Sequence, residues 1–218
     1  AQQNPQAAAQ AAKFQAIVLR RGGIEIGDLL GDPQLVSYTL EPARTSHTLG
    51  DLAQRGGKYV EAEEFYKRAL AIRQAAMGGE DLEASLSLAR SLSRERLQRM
   101  YSPLAITETV TTLNRLALLY ETLGRNAEAE RLYKRTLTIA ETFWGPNTVM
   151  TARSMGRLGG LYVKQRNFSA AESLLRGALA TEEQVRGPDD PALVLATAHL
   201  AALYRERGDW AAAEPFYK

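Results

Sequence analysis

Residues able to transfer protons or bind metals are few in this sequence. It has two histidines, His47 and His199, and no cysteine, so disulfides and zinc–thiolate sites are excluded. None of the H-E-x-x-H, G-x-S-x-G or G-x-x-x-x-G-K motifs occurs. A glycine-rich segment at 156–160, GRLGG, lacks the preceding strand that a phosphate-binding loop requires. The sequence therefore predicts no catalytic residue, metal or cofactor, and we expect a protein that is not an enzyme.

The arginines predict binding of acidic groups rather than catalysis. Arg153 and Arg157 are four residues apart, so a helix would place both guanidinium groups on one face. Each guanidinium presents a planar fork of donors that suits a carboxylate. The pair therefore predicts a contact with acidic groups, provided that this part of the chain is helical.

The helices that would carry such residues are clearest between 113 and 145, LNRLALLYETLGRNAEAERLYKRTLTIAETFWG. Apolar residues recur at helical spacing on both sides of a Gly-Arg-Asn turn at 124–126. A hairpin of two amphipathic helices cannot bury its apolar faces alone, so it needs copies of itself on either side.

Those copies are present. An Ala-Glu pair begins at 62, 129, 171 and 213, so the last two intervals are 42 residues and the first is longer by an insertion of 25. A small residue recurs in the same register, at Gly50, Ala117, Gly159 and Ala201. A tyrosine follows three residues later in the last three copies, at Tyr120, Tyr162 and Tyr204. Small residues let helices approach closely and the tyrosines fill the space between hairpins, so these positions predict packing rather than chemistry.

These positions resemble those of the tetratricopeptide repeat. The resemblance rests on Leu113, Asn114, 116–120 and the AERLYKR segment at 129–135, and it covers about 43–78 and 110–218. With its 42-residue period, the sequence is most similar to the kinesin-light-chain kind. The resemblance implies an all-α fold, a right-handed superhelical solenoid of antiparallel helix pairs, and a scaffold that binds other proteins.

The repeat register divides the chain into six parts. We expect an N-terminal tail and helical cap at 1–42, repeat 1 at 43–79, a helical insertion at 80–109, repeat 2 at 110–147, repeat 3 at 148–190 and a truncated repeat 4 at 191–218. The insertion should form one long helix with a basic outer face. The truncation predicts a fragment of a longer protein, or a chain whose final helical turns are missing.

Composition agrees with such a solenoid. With 45% apolar and 24% charged residues, the chain has ample material for a core. No apolar run approaches the roughly 20 residues that cross a bilayer, and a net charge of +2 is too small to predict nucleic-acid binding. The N-terminal Ala-Gln-Gln resembles the product of signal-peptidase cleavage. A periplasmic or secreted location is therefore slightly favoured over a cytoplasmic protein whose sequence begins at an arbitrary point.

The predicted binding site is a concave groove lined by the first helix of each repeat. Its candidate residues are Arg44, His47, Asp51, Asn114, Arg115, Leu118, Arg153, Arg157, Lys164, His199 and Arg205. Over all predicted groove positions, seven Lys or Arg face three acids, which predicts an acidic or extended partner peptide. The resemblance further implies that Asn114 contacts the backbone of that peptide. Gly156 and Gly160 should leave a shallow floor for a bulky ligand side chain.

Other interpretations stay open at this stage. The groove could be a plain solvated face. The chain could be a self-association module that forms a homo-oligomer, or an accessory domain that regulates a longer multidomain protein. Binding of nucleic acid or an anionic membrane by the insertion is weakly supported, because its arginines lack interleaved aromatic residues.

Overall fold

The computed structural model describes residues 42–76, 93–188, 190 and 193–217, and side chains in the first helix from residue 49 onward. The predicted N-terminal cap up to residue 41 and residues 80–92 of the predicted insertion lie outside the described residues. The chain divides into two compact units, unit 1 at 1–79 and unit 2 at 80–218. Every regular element in the described parts of both units is a helix.

The described part of unit 1, residues 42–76, forms a helix hairpin. Helix α1 (Pro42–Arg55) and helix α2 (Tyr59–Ala76) pack against each other along their length. They are joined by a short turn in which Gly57 has a φ of 74°, a left-handed conformation that favours glycine.

Unit 2 contains the remaining helices. They are α3 (Arg94–Met100), α4 (Pro103–Thr122), α5 (Asn126–Phe143), α6 (Val149–Lys164), α7 (Phe168–Arg186), α8 (Val194–Arg207) and α9 (Trp210–Ala213), followed by a 3-10 helix (Glu214–Phe216). Each helix from α4 to α9 packs on the next, and α8 also contacts α6. This stacking of helix pairs confirms the predicted all-α solenoid.

The helix ends follow from local sequence. Helix α4 begins at Pro103, which is seven residues earlier than the predicted start of repeat 2. Proline suits a first helical turn because the amide hydrogen that it lacks would have no partner there. The side chain of Thr148 accepts a hydrogen bond from the amide of Thr151 and caps α6. The side chain of Asn167 accepts one from the amide of Ala170 and caps α7.

The recurring small residues occupy the helix interfaces. The alanines of the four Ala-Glu pairs, Ala62, Ala129, Ala171 and Ala213, are at most 1% exposed. A methyl group added to Gly159 would lie 2.8 Å from side-chain carbons of Leu175. A methyl group added to Gly50 would lie 2.6 Å from the ring of Tyr66. Both positions therefore require glycine for close packing.

The glutamates of two Ala-Glu pairs join neighbouring repeats. Glu130 accepts a hydrogen bond from the hydroxyl of Tyr162 at 3.1 Å, and Glu172 accepts one from Tyr204 at 2.7 Å. Both contacts span 32 residues. Glu130 also forms an ion pair within its own helix, with Lys134 at 2.8 Å.

One aromatic position departs from the repeat pattern. Tyr217 shares the register of Tyr66 and Tyr133, which are buried, yet it is exposed. The chain adopts a 3-10 helix at 214–216, so the backbone has left the α-helical path before it reaches this residue.

Candidate functional site

The predicted groove residues are divided between the two units. Arg44 and His47 lie on α1, and their side chains are outside the described residues. Asp51, also in unit 1, accepts a hydrogen bond from the hydroxyl of Tyr66 on α2. The other eight residues lie in unit 2.

Unit 2 contains a cleft of about 900 Å³ between helices α4 to α8. Six of the predicted groove residues line it, and these are Leu118, Arg153, Arg157, Lys164, His199 and Arg205. Asn114 and Arg115 lie on α4 but do not line the cleft. Asn114 is half-buried, and its Oδ1 atom is enclosed without a hydrogen-bond partner. Arg115 is exposed and already has an interaction within the protein.

Two cations of the cleft are paired with carboxylates of the protein. The Nζ atom of Lys164 lies 2.6 Å from Oε2 of Glu121, whose other oxygen accepts a hydrogen bond from Tyr133 at 2.7 Å. Arg205 lies 3.3 Å from Glu206. These pairs leave Lys164 and Arg205 less available to an acidic ligand than unpaired cations would be.

The other two predicted cations are available to a ligand. Arg153 and Arg157 are exposed on α6, one helical turn apart. Neither guanidinium forms a hydrogen bond or ion pair with any residue that the structure describes. The sequence interpretation of a paired, carboxylate-binding fork is thus compatible with the geometry of α6.

His199 occupies the space expected above Gly156 and Gly160. A methyl group added to Gly156 would lie 3.6 Å from Nδ1 of His199, and one added to Gly160 would lie 3.9 Å from Nε2. Both glycines still line the cleft beside His199, so the imidazole from α8 narrows the floor that the sequence predicts there. Burial, and then the positive charge of Arg157, lower the pKa of His199 below its ordinary value of 6.5. The ring is consequently neutral at pH 7.

A buried acid in the cleft was missed by the sequence analysis. Glu182 lines the cleft from α7 and is 7% exposed. Burial raises the pKa of its carboxyl above the usual 4.5, whereas the charges of Arg186 and Arg153 lower it. The repeat register contained a signal, because Glu182 is 42 residues after Ala140, which is fully buried. A carboxylate in a buried position of the register indicates a function other than packing.

Apolar side chains complete the walls of the cleft. Leu118 from α4 and Val163 from α6 are among them, as expected for residues that add apolar contacts to charged ones. Smaller apolar residues lie deeper, including Ala152, Ala178 and Ala196. The cleft can therefore bind a ligand by combining charge with apolar contact.

Metal ligation and membrane insertion receive no support from the described residues. No group of three or more His, Asp or Glu side chains among them could hold a metal ion. In the same part of the chain, no helix combines the length and apolar character needed to cross a bilayer.

Two family models match the chain. A family model described as tetratricopeptide repeat matches residues 108–181 and 151–218, and a second model of that description matches 43–83. Among solved structures, BtubC (BKLC) from P. vanneervenii is 22% identical with a TM-score of 0.46, covering 97% of this chain and 85% of its own. A putative kinesin light chain from Podospora anserina, described as having nearly identical TPR-like repeats, is 19% identical with a TM-score of 0.48, covering 82% and 93%. No curated protein sequence matches the chain.

The first family model alone spans residues 108–218, which is just over half of the chain. Its two matches overlap on α6 and α7, the helices that carry Arg153, Arg157 and Glu182. The prediction made from the repeating Ala-Glu, small-residue and tyrosine positions is confirmed: this chain belongs to the tetratricopeptide-repeat family.

Proposed function

We propose that this protein is a non-catalytic scaffold that binds an acidic, extended segment of a partner protein in the cleft of unit 2. A role in protein–protein interaction is supported by the repeat family itself. The acidic ligand is inferred from Arg153 and Arg157, the observation that carries the proposal. Both are exposed and lack a partner among the described residues, whereas Lys164 and Arg205 are paired with acids of the protein.

The energetic argument favours these two arginines over the other cations. A guanidinium without a protein partner can bind a ligand carboxylate without first breaking an ion pair. Lys164 is already paired with Glu121 at 2.6 Å, so a ligand carboxylate would have to compete with a carboxylate of the protein. Arg153 and Arg157 therefore supply most of the attraction, and Leu118 and Val163 add apolar contact.

Asn114 keeps its predicted role in this proposal. It lies on α4 one helical turn before Leu118, which lines the cleft. Its side-chain oxygen has no hydrogen-bond partner. A rotation of that side chain would offer an amide to the backbone of an extended peptide. Arg115 would act beside it by attracting acidic residues before contact.

The test is a selection from a random 12-residue peptide library displayed on phage. Native protein should enrich peptides that contain Asp and Glu. The double variant Arg153→Glu, Arg157→Glu should lose that enrichment, because it reverses the charge that the ligand meets. The matched control is Arg96→Glu, Arg99→Glu on α3, where both side chains are exposed and the change in net charge is identical. It should select the same peptides as the native protein.

Two outcomes would overturn the proposal. If all three proteins select the same peptides, the cleft is not the binding site. If the α3 control loses the enrichment as completely as the cleft variant, net charge rather than the cleft explains binding. Circular dichroism melts of the three proteins verify that all are folded.

A second candidate function is self-association. Large apolar side chains are exposed near the last described helices, namely Val194, Trp210 and Tyr217, and Trp210 is 66% exposed. Exposed apolar residues of this size are common in contacts between proteins. Sedimentation velocity at several concentrations tests this candidate. A sedimentation coefficient that rises with concentration, and no longer rises in Trp210→Ser, would support it, and a constant monomer value would exclude it.

A further inference from the structure

The packing of the repeats does not explain why residue 182 is a glutamate. Its side chain is 93% buried, yet its carboxylate forms no hydrogen bond or ion pair with any residue that the structure describes. The oxygens of this carboxylate are not among the fully enclosed, unpartnered atoms of the described residues, so they are open to solvent or to a ligand. Glu182 also lines the cleft, so a bound ligand can reach it.

The surroundings of Glu182 restrict which ligand group fits. Ala178 lies one helical turn before it on α7, and Ala196 contributes to the cleft from α8. Both side chains are single methyl groups, and both are buried. Small apolar walls that lead to a carboxylate suit a long aliphatic side chain with a positive end, as in lysine or arginine.

The nearby protein cations do not neutralise Glu182 at contact distance. Arg186 interacts with it only through space and lies 3.8 Å from Asp190 instead. Arg153 also interacts only through space, from an exposed position on α6. The carboxylate therefore remains open to a cation that comes closer.

We propose that the cleft binds a peptide segment carrying an acidic and a basic side chain together, with the acid on Arg153 and Arg157 and the base on Glu182. This inference rests on the proposed function, and it adds a second recognition element to it. An acid that draws Arg153 towards the ligand removes a compensating charge from Glu182. The basic side chain then replaces that charge, so the two contacts favour each other.

The geometry of an extended peptide supports the pairing. Side chains two residues apart in a strand project on the same side, about 7 Å from one another. Arg153 and Glu182 line the same cleft, from α6 and α7. An acid and a base separated by one residue can therefore reach the two sites at once.

The experiment uses an array of 12-residue peptides with a Gly/Ser background and the full protein chain. Each peptide carries two Asp residues and one Lys. The distance in residues between the Lys and the Asp residues varies from one peptide to the next. Matched copies replace the Lys by norleucine, which keeps the aliphatic stem, or by Gln, which keeps a neutral donor. Binding is measured with native protein, Glu182→Gln, Glu183→Gln and the double variant Arg153→Glu, Arg157→Glu. Glu183 is exposed and adjacent, so its variant matches the change in charge.

The expected result is a preference of about tenfold for Lys over norleucine with native protein, the factor that ~1.4 kcal/mol provides. The preference should disappear in Glu182→Gln and persist in Glu183→Gln. Glu182→Gln is nearly isosteric and removes a charge that burial disfavours, so its thermal midpoint should not fall below that of the native protein.

Three results overturn this inference. They are equal binding of Lys and norleucine peptides by the native protein, an unchanged Lys preference in Glu182→Gln, and Gln peptides that bind as well as Lys peptides. These results are distinct from a failure of the proposed function. In that case the norleucine peptides, which keep both Asp residues, bind the native protein no better than the Arg153→Glu, Arg157→Glu variant does.

Discussion

The two faces of helix α6 differ in how closely their residues match those of the neighbouring repeats. Its packed face carries Leu158, Gly159 and Tyr162, all buried, and equivalent residues recur in the neighbouring repeats. Its cleft face carries Arg153 and Arg157, which are exposed and correspond 42 residues later to Leu195 and His199. Residues that hold the solenoid together stay constant from one repeat to the next, whereas residues that line the cleft vary.

The largest expected effect is on the free energy of unfolding, which should depend strongly on the packed face and weakly on the cleft face. Leu158→Ala should destabilise the protein by about 2–5 kcal/mol, because it removes buried methyl groups and leaves a cavity. Arg157→Ala, on the other face, should change stability by less than about 0.5 kcal/mol, as is usual for exposed positions. Urea unfolding followed by circular dichroism measures both. Similar losses from the two variants would contradict the distinction between the faces.

Gly159 and Gly156, two of the three glycines of α6, extend the same comparison. Gly159→Ala should cost roughly 1–3 kcal/mol, because the new methyl group would overlap Leu175. Gly156→Ala places its methyl group at ordinary contact distance, 3.6 Å from His199. The higher helix propensity of alanine should then stabilise the protein by up to about 1 kcal/mol. Thermal midpoints that shift in opposite directions would agree with this, and two equal decreases would not.

The pH dependence of stability should report the packing of His199 on Gly156 and Gly160. The folded protein lowers the pKa of His199, so the unfolded chain takes up this proton first as the pH falls. Stability that His199 contributes is therefore present above pH 6.5 and is lost as the pH falls from 6.5 through the lower pKa of the folded state.

The measurement is the free energy of unfolding of the native protein relative to His199→Gln between pH 8 and pH 5. The difference isolates His199 from Glu182, whose raised pKa gives the opposite trend. Removing the second cause with Arg157→Gln should make the loss smaller. A difference that is independent of pH would show that the imidazole is solvated and not packed on α6.

Much of the fold could be predicted because packing constrains residue type. Alanine at 129, 171 and 213 and glycine at 159 recur since only small residues allow the helices to approach. Any sequence stacking these helix pairs repeats that requirement at a fixed interval. The repeat period was therefore visible without coordinates.

The cleft was predicted less completely, for two physical reasons. The sequence could not show that Lys164 is neutralised by Glu121, since the two residues are 43 positions apart and meet only when α4 and α6 are stacked. The predicted groove contained only residues from the first helix of each repeat. Glu182 lines the cleft from α7, which is a second helix, and was therefore not predicted. Periodicity identifies which face a residue occupies, but ion pairs depend on the distance between faces.

The smallest effect concerns Lys164, and it separates paired from unpaired cations of the cleft. Lys164→Met keeps the aliphatic stem and removes one exposed partner of an ion pair, so stability should fall by less than about 1 kcal/mol. Binding of the peptides selected by the native protein should weaken by less than threefold, because Lys164 already neutralises Glu121. Arg157→Met, its matched control on the same helix, should weaken that binding by tenfold or more. Fluorescence anisotropy with one labelled acidic peptide compares the two variants directly. Equal losses would mean that ligand binding breaks the Lys164–Glu121 pair and that overall charge, rather than free guanidinium groups, determines affinity.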